Sequence, residues 1–268
     1  MSKKVVFKLW KYSLPLIPNA ISWWVFNASD RVIVSSILGI SQNGILAASL
    51  KFSTVYITLY NIFNMSWTES ISLSINDKDF KEYFNKMINM MLKLFIAMAI
   101  GLIACMPFIY PVMINKNYID GYGLVPISII ASLFNVVVGL ISVIYVAKKN
   151  TKAVANTSIV SAIINIAVHL LLIKFVGLYA AVISTLTAFF IMSIYRLYDI
   201  KKRYFKIELD IKSIVISSIV LAIVLSTYYI NNIYLNIVSV IIAVIFAYLL
   251  NRKSIDTVYG LLKKKIAK

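Results

Sequence analysis

The sequence GLVPISIIASLFNVVVGLISVIYVA, residues 123–147, contains no charged residue and decides the fold class. A helix rises about 1.5 Å per residue, so about 20 apolar residues cross the roughly 30 Å of hydrocarbon in a bilayer. Similar runs recur along the chain, in which 61% of the residues are hydrophobic and 14% are charged, against about 25% charged in soluble domains. The sequence therefore predicts an all-α integral membrane protein.

We predict about eight transmembrane helices. They cover residues 12–39, 44–68, 88–114, 123–147, 153–174, 178–199, 212–229 and 233–250. Most connections are short, so consecutive helices are expected to be antiparallel neighbours. The whole chain, 1–268, is interpreted as a single membrane domain.

The distribution of positive charge predicts the orientation of the chain. Most of the 27 Lys and Arg residues lie in the terminal segments and in loops on the same side, and we count Arg196 among them. The opposite loops contain Lys116 and Lys174. Because basic loops stay cytoplasmic, both termini are predicted to be cytoplasmic, with 251–268 as a basic tail. The same pattern explains the net charge of +17 without a nucleic-acid partner.

Residues 76–91, NDKDFKEYFNKMINMM, place aromatic residues and Met at helical spacing, with charged residues between them. This pattern predicts an amphipathic segment that lies in the membrane interface before the third span. A regulatory or partner-binding role is the alternative.

The stretch NASDRVIVSSILG, residues 27–39, places Asp30 and Arg31 inside a predicted span. Arg31 and Lys51 are equally far in sequence from the predicted turn near Ser41, so in a hairpin both lie about 15 Å from it. Asp30 can pair with Lys51 or with a residue elsewhere. An uncompensated cation near mid-membrane costs roughly 2.5–3.5 kcal/mol, which favours an interior position. Three interpretations stay open: an internal ion pair, a cationic lining for an anionic headgroup, and snorkelling or a wrong register of the predicted hairpin.

His169 follows Asn165 by one helical turn, so the two share a helix face. They are candidates for an interhelical hydrogen bond or for proton coupling, since His titrates near neutral pH. The sequence contains no paired-carboxylate site, His cluster or Gly-rich phosphate loop. We therefore predict no enzyme activity, no metal site and no cofactor.

Three stretches carry a family resemblance. They are LPLIPNAISWWVFNASDRVIVSSILG at 14–39, KFSTVYITLYNIFNMSWTESISLS at 51–74, and KKNTKAVANTSIVSAIINIAVHLLLIKFVGLYAAVIST at 148–185. In order and spacing they resemble the C-terminal half of the bacterial O-antigen and capsule flippases. These flippases form the polysaccharide transporter branch of the multidrug/oligosaccharidyl-lipid/polysaccharide exporter superfamily.

The resemblance implies helices 7 to 14 of a two-lobe flippase in the bacterial cytoplasmic membrane. Such proteins move undecaprenyl-diphosphate-linked oligosaccharides from the inner to the outer leaflet by alternating access. It further implies that Arg31 and Lys51 contact the diphosphate, that Asp30 organises them, and that H⁺ or Na⁺ drives transport. A second six-helix lobe or an oligomeric partner is expected to supply the rest of the cavity.

Two other functions remain open at this point. One is export of small molecules by a multidrug-type transporter on the related fold. The other is a non-transporting remnant or scaffold beside a glycan-assembly machinery.

Overall fold

The computed structural model describes residues 16–266, together with Val5, Phe7, Trp10, Ser13 and Leu14. Within these residues the chain is helical and forms no strand. The helices are α1 (Leu16–Ile37), α2 (Ile40–Ser74), α3 (Phe80–Met113), α4 (Leu124–Ala147), α5 (Thr151–Val176), α6 (Tyr179–Arg203), α7 (Ile211–Ile230) and α8 (Ile233–Ile266). A 3-10 helix, Lys116–Gly121, precedes α4.

Seven of the described helices, α2 to α8, are long and apolar enough to cross a membrane. This confirms the predicted all-α, multi-pass membrane fold. The first predicted span, 12–39, contains α1, which is not among the seven. Helix α1 carries Asn19, Asp30 and Arg31 within its 22 residues, and these polar side chains lower its hydropathy relative to a helix such as α4.

The described residues divide into two compact units, whereas the sequence treats 1–268 as one domain. The first unit comprises the chain up to Lys81 and Ile114–Ile207, and the second comprises Glu82–Met113 and the chain from Glu208. Hydrophobic runs have the same appearance in both units, so composition does not reveal this division.

Two hydrophobic clusters hold the first unit together. One unites α1, α2, α4, α5 and α6, and its members include Val34, Leu46, Leu124, Ile173 and Ala180. The other surrounds Phe26 and Phe189, whose rings stack with centroids 4.9 Å apart. Small residues such as Ala162 and Ala188 lie in this second cluster, where they allow close approach of helices.

The turn between α1 and α2 depends on a glycine. Gly39 has a φ of 97°, a region that side-chain-bearing L residues rarely adopt. It brings α2 back beside α1 with only Leu38 and Gly39 between the two helices. This turn therefore sets the position of Asp30 and Arg31 relative to α2.

The second unit is joined by polar contacts between α3 and the segment before α7. Lys93 on α3 forms a 2.6 Å ion pair with Asp210, and Asn89 accepts a 2.7 Å hydrogen bond from the Asp210 amide. Asp210 also caps α7 by accepting a hydrogen bond from the Ser213 amide at 3.1 Å. The Lys93 ammonium and the Ser213 donors hold the pKa of Asp210 well below its usual range.

Two predicted segments acquire defined structure. Within residues 76–91, a turn ends at Asp79 and α3 begins at Phe80. Phe80 and Phe84 are buried, whereas Lys81 and Lys86 are exposed, as expected for an amphipathic helix. The predicted tail, 251–268, is a continuation of α8 as far as Ile266; its last two residues lie outside the described part of the chain.

Candidate functional site

The first unit contains an open cavity of about 880 Å³ between its helices. Amide and hydroxyl side chains supply much of its lining: Asn19, Ser53, Thr54, Asn61, Asn64, Thr68, Asn135, Ser142 and Thr185. Aromatic rings supply another part: Trp23, Trp24, Phe26, Tyr60 and Phe189. The charged residues in the lining are Asp30, Arg31 and Arg196. Among the described residues, the lining thus combines polar and apolar surface and carries two cations against one carboxylate.

Asp30 lies in the cavity wall and is held from two other helices. Its Oδ1 lies 2.8 Å from Nδ1 of His169 on α5, and its Oδ2 accepts a 3.0 Å hydrogen bond from Thr185 on α6. Asp30 is 7% exposed and His169 is fully buried. The carboxylate therefore has partners for both oxygens.

Asn165 extends this arrangement one turn along α5. Its Nδ2 donates to Thr185 Oγ1 at 3.1 Å and to Ser184 Oγ at 3.3 Å, and its Oδ1 accepts from Ser29 at 3.4 Å. We call Asp30, His169, Thr185 and Asn165 the aspartate cluster. It connects α1, α5 and α6 through side chains alone.

The hydrogen-bond roles in the aspartate cluster follow from the tautomer of His169. Its Nε2 is buried and has no hydrogen-bond partner among the described residues. With a proton on Nδ1, the ring donates to Asp30 and presents only an acceptor at the unpartnered Nε2. The histidine thus forms an interhelical hydrogen bond, one of the two roles that the sequence left open.

Arg31 and Lys51 are both exposed, but they differ in relation to the cavity. Arg31 lies in the cavity wall, whereas Lys51 is not among the residues that line it. Neither forms an ion pair with Asp30 in the described part of the chain. The sequence left two partners open for Asp30, which were Lys51 or a residue elsewhere. The structure has the second, because His169 and Thr185 contact the two carboxylate oxygens.

Arg196 is placed differently from the sequence-based prediction. We counted it among the cytoplasmic loop cations, but it lies within α6, is 2% exposed and lines the cavity. The prediction that Arg196 is a loop cation is therefore wrong. The side chain follows Ala188 and Met192 at four-residue spacing, so it lies on the buried stripe of α6.

The Arg196 guanidinium is surrounded by neutral acceptors. Thr157 Oγ1 accepts from Nε at 3.1 Å and from Nη2 at 2.8 Å. Ser158 Oγ and the Val154 carbonyl accept from Nη2 at 3.3 and 3.4 Å, and Ser142 accepts from Nη1. We call these four residues and Arg196 the arginine cluster. No carboxylate of the described residues forms an ion pair with this arginine.

The carboxylate closest in sequence to Arg196 has other partners. Asp199, also buried, accepts a 2.8 Å hydrogen bond from the Tyr145 hydroxyl and forms a 2.6 Å ion pair with Arg203. Arg203 is more than half exposed at 53%. The positive charge of Arg196 is therefore not neutralised by the acid one turn away.

The cavity wall near the arginine cluster depends on Gly139. A Cβ at this position would overlap the Tyr60 hydroxyl and would lie 2.7 Å from the ring carbon that bears it. The Tyr60 hydroxyl donates to Asn64 at 2.9 Å. Only glycine lets the tyrosine ring pass α4 and reach this partner.

A signal for both clusters exists in the sequence. Thr157, Ser161, Asn165 and His169 recur every four residues on α5, and all four are buried. Such a stripe predicts a polar helix face turned away from lipid. Arg196 also follows buried residues at four-residue spacing, on α6. The nearby Lys201, Lys202 and Arg203 nevertheless favoured the interpretation of Arg196 as a loop residue.

The described residues contain no group of three or more His, Cys, Asp or Glu side chains that could hold a metal ion. Comparison of the chain with protein-family models, curated proteins and solved structures gives no match. The chemistry of the cavity is therefore the basis for any functional interpretation.

Proposed function

We propose that this chain is one lobe of a bacterial transporter that moves undecaprenyl-diphosphate-linked oligosaccharides across the cytoplasmic membrane. The observation that carries the proposal is the 880 Å³ cavity in a membrane-protein unit, with Arg31 and Arg196 in its lining. A lipid-linked saccharide combines a polar glycan with an anionic diphosphate. The cavity offers chemistry for both.

The lining supports recognition of a glycan. Side chains such as Asn61, Asn64 and Asn135 both donate and accept hydrogen bonds, as sugar hydroxyls do. Aromatic rings such as Trp23 and Trp24 lie in the same lining and provide flat apolar surfaces for the C–H faces of a sugar ring. An apolar drug pocket has few such amides.

The charge of the lining supports an anionic headgroup. Arg31 is exposed and lines the cavity, and a guanidinium binds phosphate oxygens through a planar fork. Asp30 is engaged by His169 and Thr185. We assign diphosphate contact to Arg31 and a supporting electrostatic role to Lys51, which lies outside the lining.

Transport by alternating access requires a second wall that moves against this lobe. We propose that another six-helix lobe or a partner chain provides it. With both termini in the cytoplasm, as the positive-inside rule predicts, the lipid-linked saccharide is loaded from the cytoplasmic leaflet and released to the outer one.

The test is binding of an undecaprenyl-diphosphate-linked oligosaccharide to the full chain in nanodiscs. We expect saturable binding that weakens about tenfold or more in Arg31→Gln, since an ionic hydrogen bond to phosphate is lost. An undecaprenyl lipid that carries the same glycan without the diphosphate is expected to bind more weakly. Equal binding of the two lipids would contradict the proposal. Binding of organic cations instead would favour a multidrug-type exporter.

A further inference from the structure

We propose that Arg196 is the centre of an oxyanion-binding subsite in the cavity wall, which receives a phosphate or carboxylate group of the transported molecule. The proposal rests on the proposed function only in taking the cavity as the chamber that holds the ligand. It assigns to Arg196 a contact with an anionic group of the ligand that is separate from the contact made by Arg31.

The first argument is the balance of charge. Arg196 is 2% exposed, and its partners in the arginine cluster are three hydroxyls and a carbonyl, none of which carries a net charge. A buried charge without a counter-ion is costly, more so within a membrane. An anion in the adjacent cavity removes most of this cost, so the site is electrostatically incomplete without one.

The second argument is that the neutral partners are themselves fixed as acceptors. Thr157 donates its hydroxyl proton to the Ala153 or Val154 carbonyl, each at 2.9 Å. Ser158 donates to Asn19 at 2.6 Å, and Ser142 donates to the Val138 carbonyl. Their oxygens are thereby turned to Arg196, which holds the guanidinium in place before any ligand binds.

The third argument is spare donor capacity. A guanidinium has five N–H donors, two of them on Nη1. Within the described residues, Ser142 is the acceptor for Nη1, which leaves one Nη1 hydrogen for a ligand on a side chain that lines the cavity. A planar guanidinium with a free N–H suits an oxyanion better than a simple halide.

The subsite is distinct from the aspartate cluster. Thr185 and Arg196 are eleven residues apart on α6, about 16 Å along a helix. Asp30 and its histidine are thus too far to neutralise Arg196. An anionic group near Arg196 and a second one near Arg31 can bind in the same cavity.

The test uses the full chain in nanodiscs of zwitterionic phosphatidylcholine, so that the lipid adds no anionic headgroup. Pyrophosphate, inorganic phosphate and glucuronate are titrated by calorimetry, and thermal unfolding is followed with and without each anion. Pyrophosphate or phosphate binding identifies a phosphate subsite, and preferential glucuronate binding identifies a site for acidic sugars.

Three variants decide the role of Arg196. We expect Arg196→Gln to weaken anion binding at least about tenfold. Arg196→Lys keeps the charge but loses the planar fork, so a smaller loss of about threefold to tenfold is expected. Arg203→Gln is the matched control, because Arg203 lies on the same helix but pairs with Asp199, and its anion binding should equal that of the parent.

Unchanged binding in the folded Arg196→Lys and Arg196→Gln variants would overturn the subsite, as would an equal loss in Arg203→Gln. If Arg196→Gln does not fold, Arg196→Lys decides alone. Pyrophosphate binding through Arg196, with no binding of a lipid-linked saccharide, would leave the subsite standing and reject the proposed function. Binding of the lipid-linked saccharide that is unchanged in the Arg196 variants would reject the subsite and leave the proposed function standing.

Discussion

The aspartate and arginine clusters share helices α5 and α6 but handle charge in opposite ways. Asp30 has a buried histidine at 2.8 Å and a threonine at 3.0 Å, so every oxygen of the carboxylate has a donor. Among the described residues, the groups that accept hydrogen bonds from Arg196 are all neutral. In the first cluster both carboxylate oxygens are hydrogen-bonded, whereas the second cluster keeps a net positive charge beside a cavity.

This difference separates two uses of polar side chains inside a membrane protein. Breaking a satisfied pair exposes a buried group to an apolar surrounding and costs stability. Removing an unneutralised charge can leave stability unchanged and cost only ligand binding. The two clusters should therefore respond to mutation in different assays.

The largest stability effect is expected from His169→Leu. It leaves the Asp30 carboxylate buried with Thr185 as its described donor, and loss of one member of a buried pair costs about 3–5 kcal/mol. Chemical unfolding in detergent micelles measures this change. The double variant with Asp30→Asn should recover part of the loss, since the buried charge is gone. A loss below about 0.5 kcal/mol in His169→Leu, within the range of surface changes, would show that the pair is not a structural connection.

The next effect is expected from Gly139→Ala beside the arginine cluster. The new methyl group would overlap the Tyr60 hydroxyl and lie 2.7 Å from the ring carbon that bears it. Overpacking of this kind costs about 1–3 kcal/mol. Gly101→Ala is the control, because a Cβ at that position would have no atom within 4 Å. In thermal unfolding it should match or exceed the parent stability, since Ala favours a helix by about 0.5–1 kcal/mol.

Arg196→Met should change the unfolding free energy of the ligand-free protein little, by about 1 kcal/mol or less in either direction. Methionine fills a similar length, and removing an unpaired buried charge also removes the cost of its desolvation. The Thr157, Ser158 and Ser142 hydroxyls keep the acceptors to which they donate. The same unfolding assay checks this. A loss of stability as large as that of His169→Leu would contradict the proposed difference between the two clusters.

The smallest effect is expected from Asp210→Asn, which breaks the Lys93–Asp210 pair of the second unit. Asp210 is more than a third exposed, so the pair contributes about 0.2–1 kcal/mol. Asp210→Asn should lose only this, since Asn still caps a helix, whereas Asp210→Ala should lose the cap as well, about 1 kcal/mol more.

The pH dependence of this pair follows from the lowered pKa of Asp210. A carboxyl with a depressed folded-state pKa stabilises above its unfolded value of about 3.9 and loses that contribution as the pH falls further. The stability difference between the parent and Asp210→Asn should therefore be constant near neutral pH and shrink below about pH 4. A difference that grows on acidification would contradict the sign of the shift.

The helices and the membrane class could be predicted from the sequence, because long apolar runs such as 123–147 admit few alternatives. Asp30, Asn165 and His169 could also be singled out as polar residues within spans. Their mutual pairing could not be predicted, since it depends on how α1, α5 and α6 meet. Arg196 was missed because it precedes a basic segment. It differs from Lys201 and Lys202 in lying on the buried face of α6.

The most direct test compares the unfolding free energies of His169→Leu and Arg196→Met with and without pyrophosphate. We predict that His169→Leu is destabilised under both conditions and still gains stability from pyrophosphate. Arg196→Met should match the parent without pyrophosphate and gain less than the parent when it is added. Equal destabilisation of the two variants, with the same gain from pyrophosphate, would contradict the distinction between a structural pair and a ligand-binding cation.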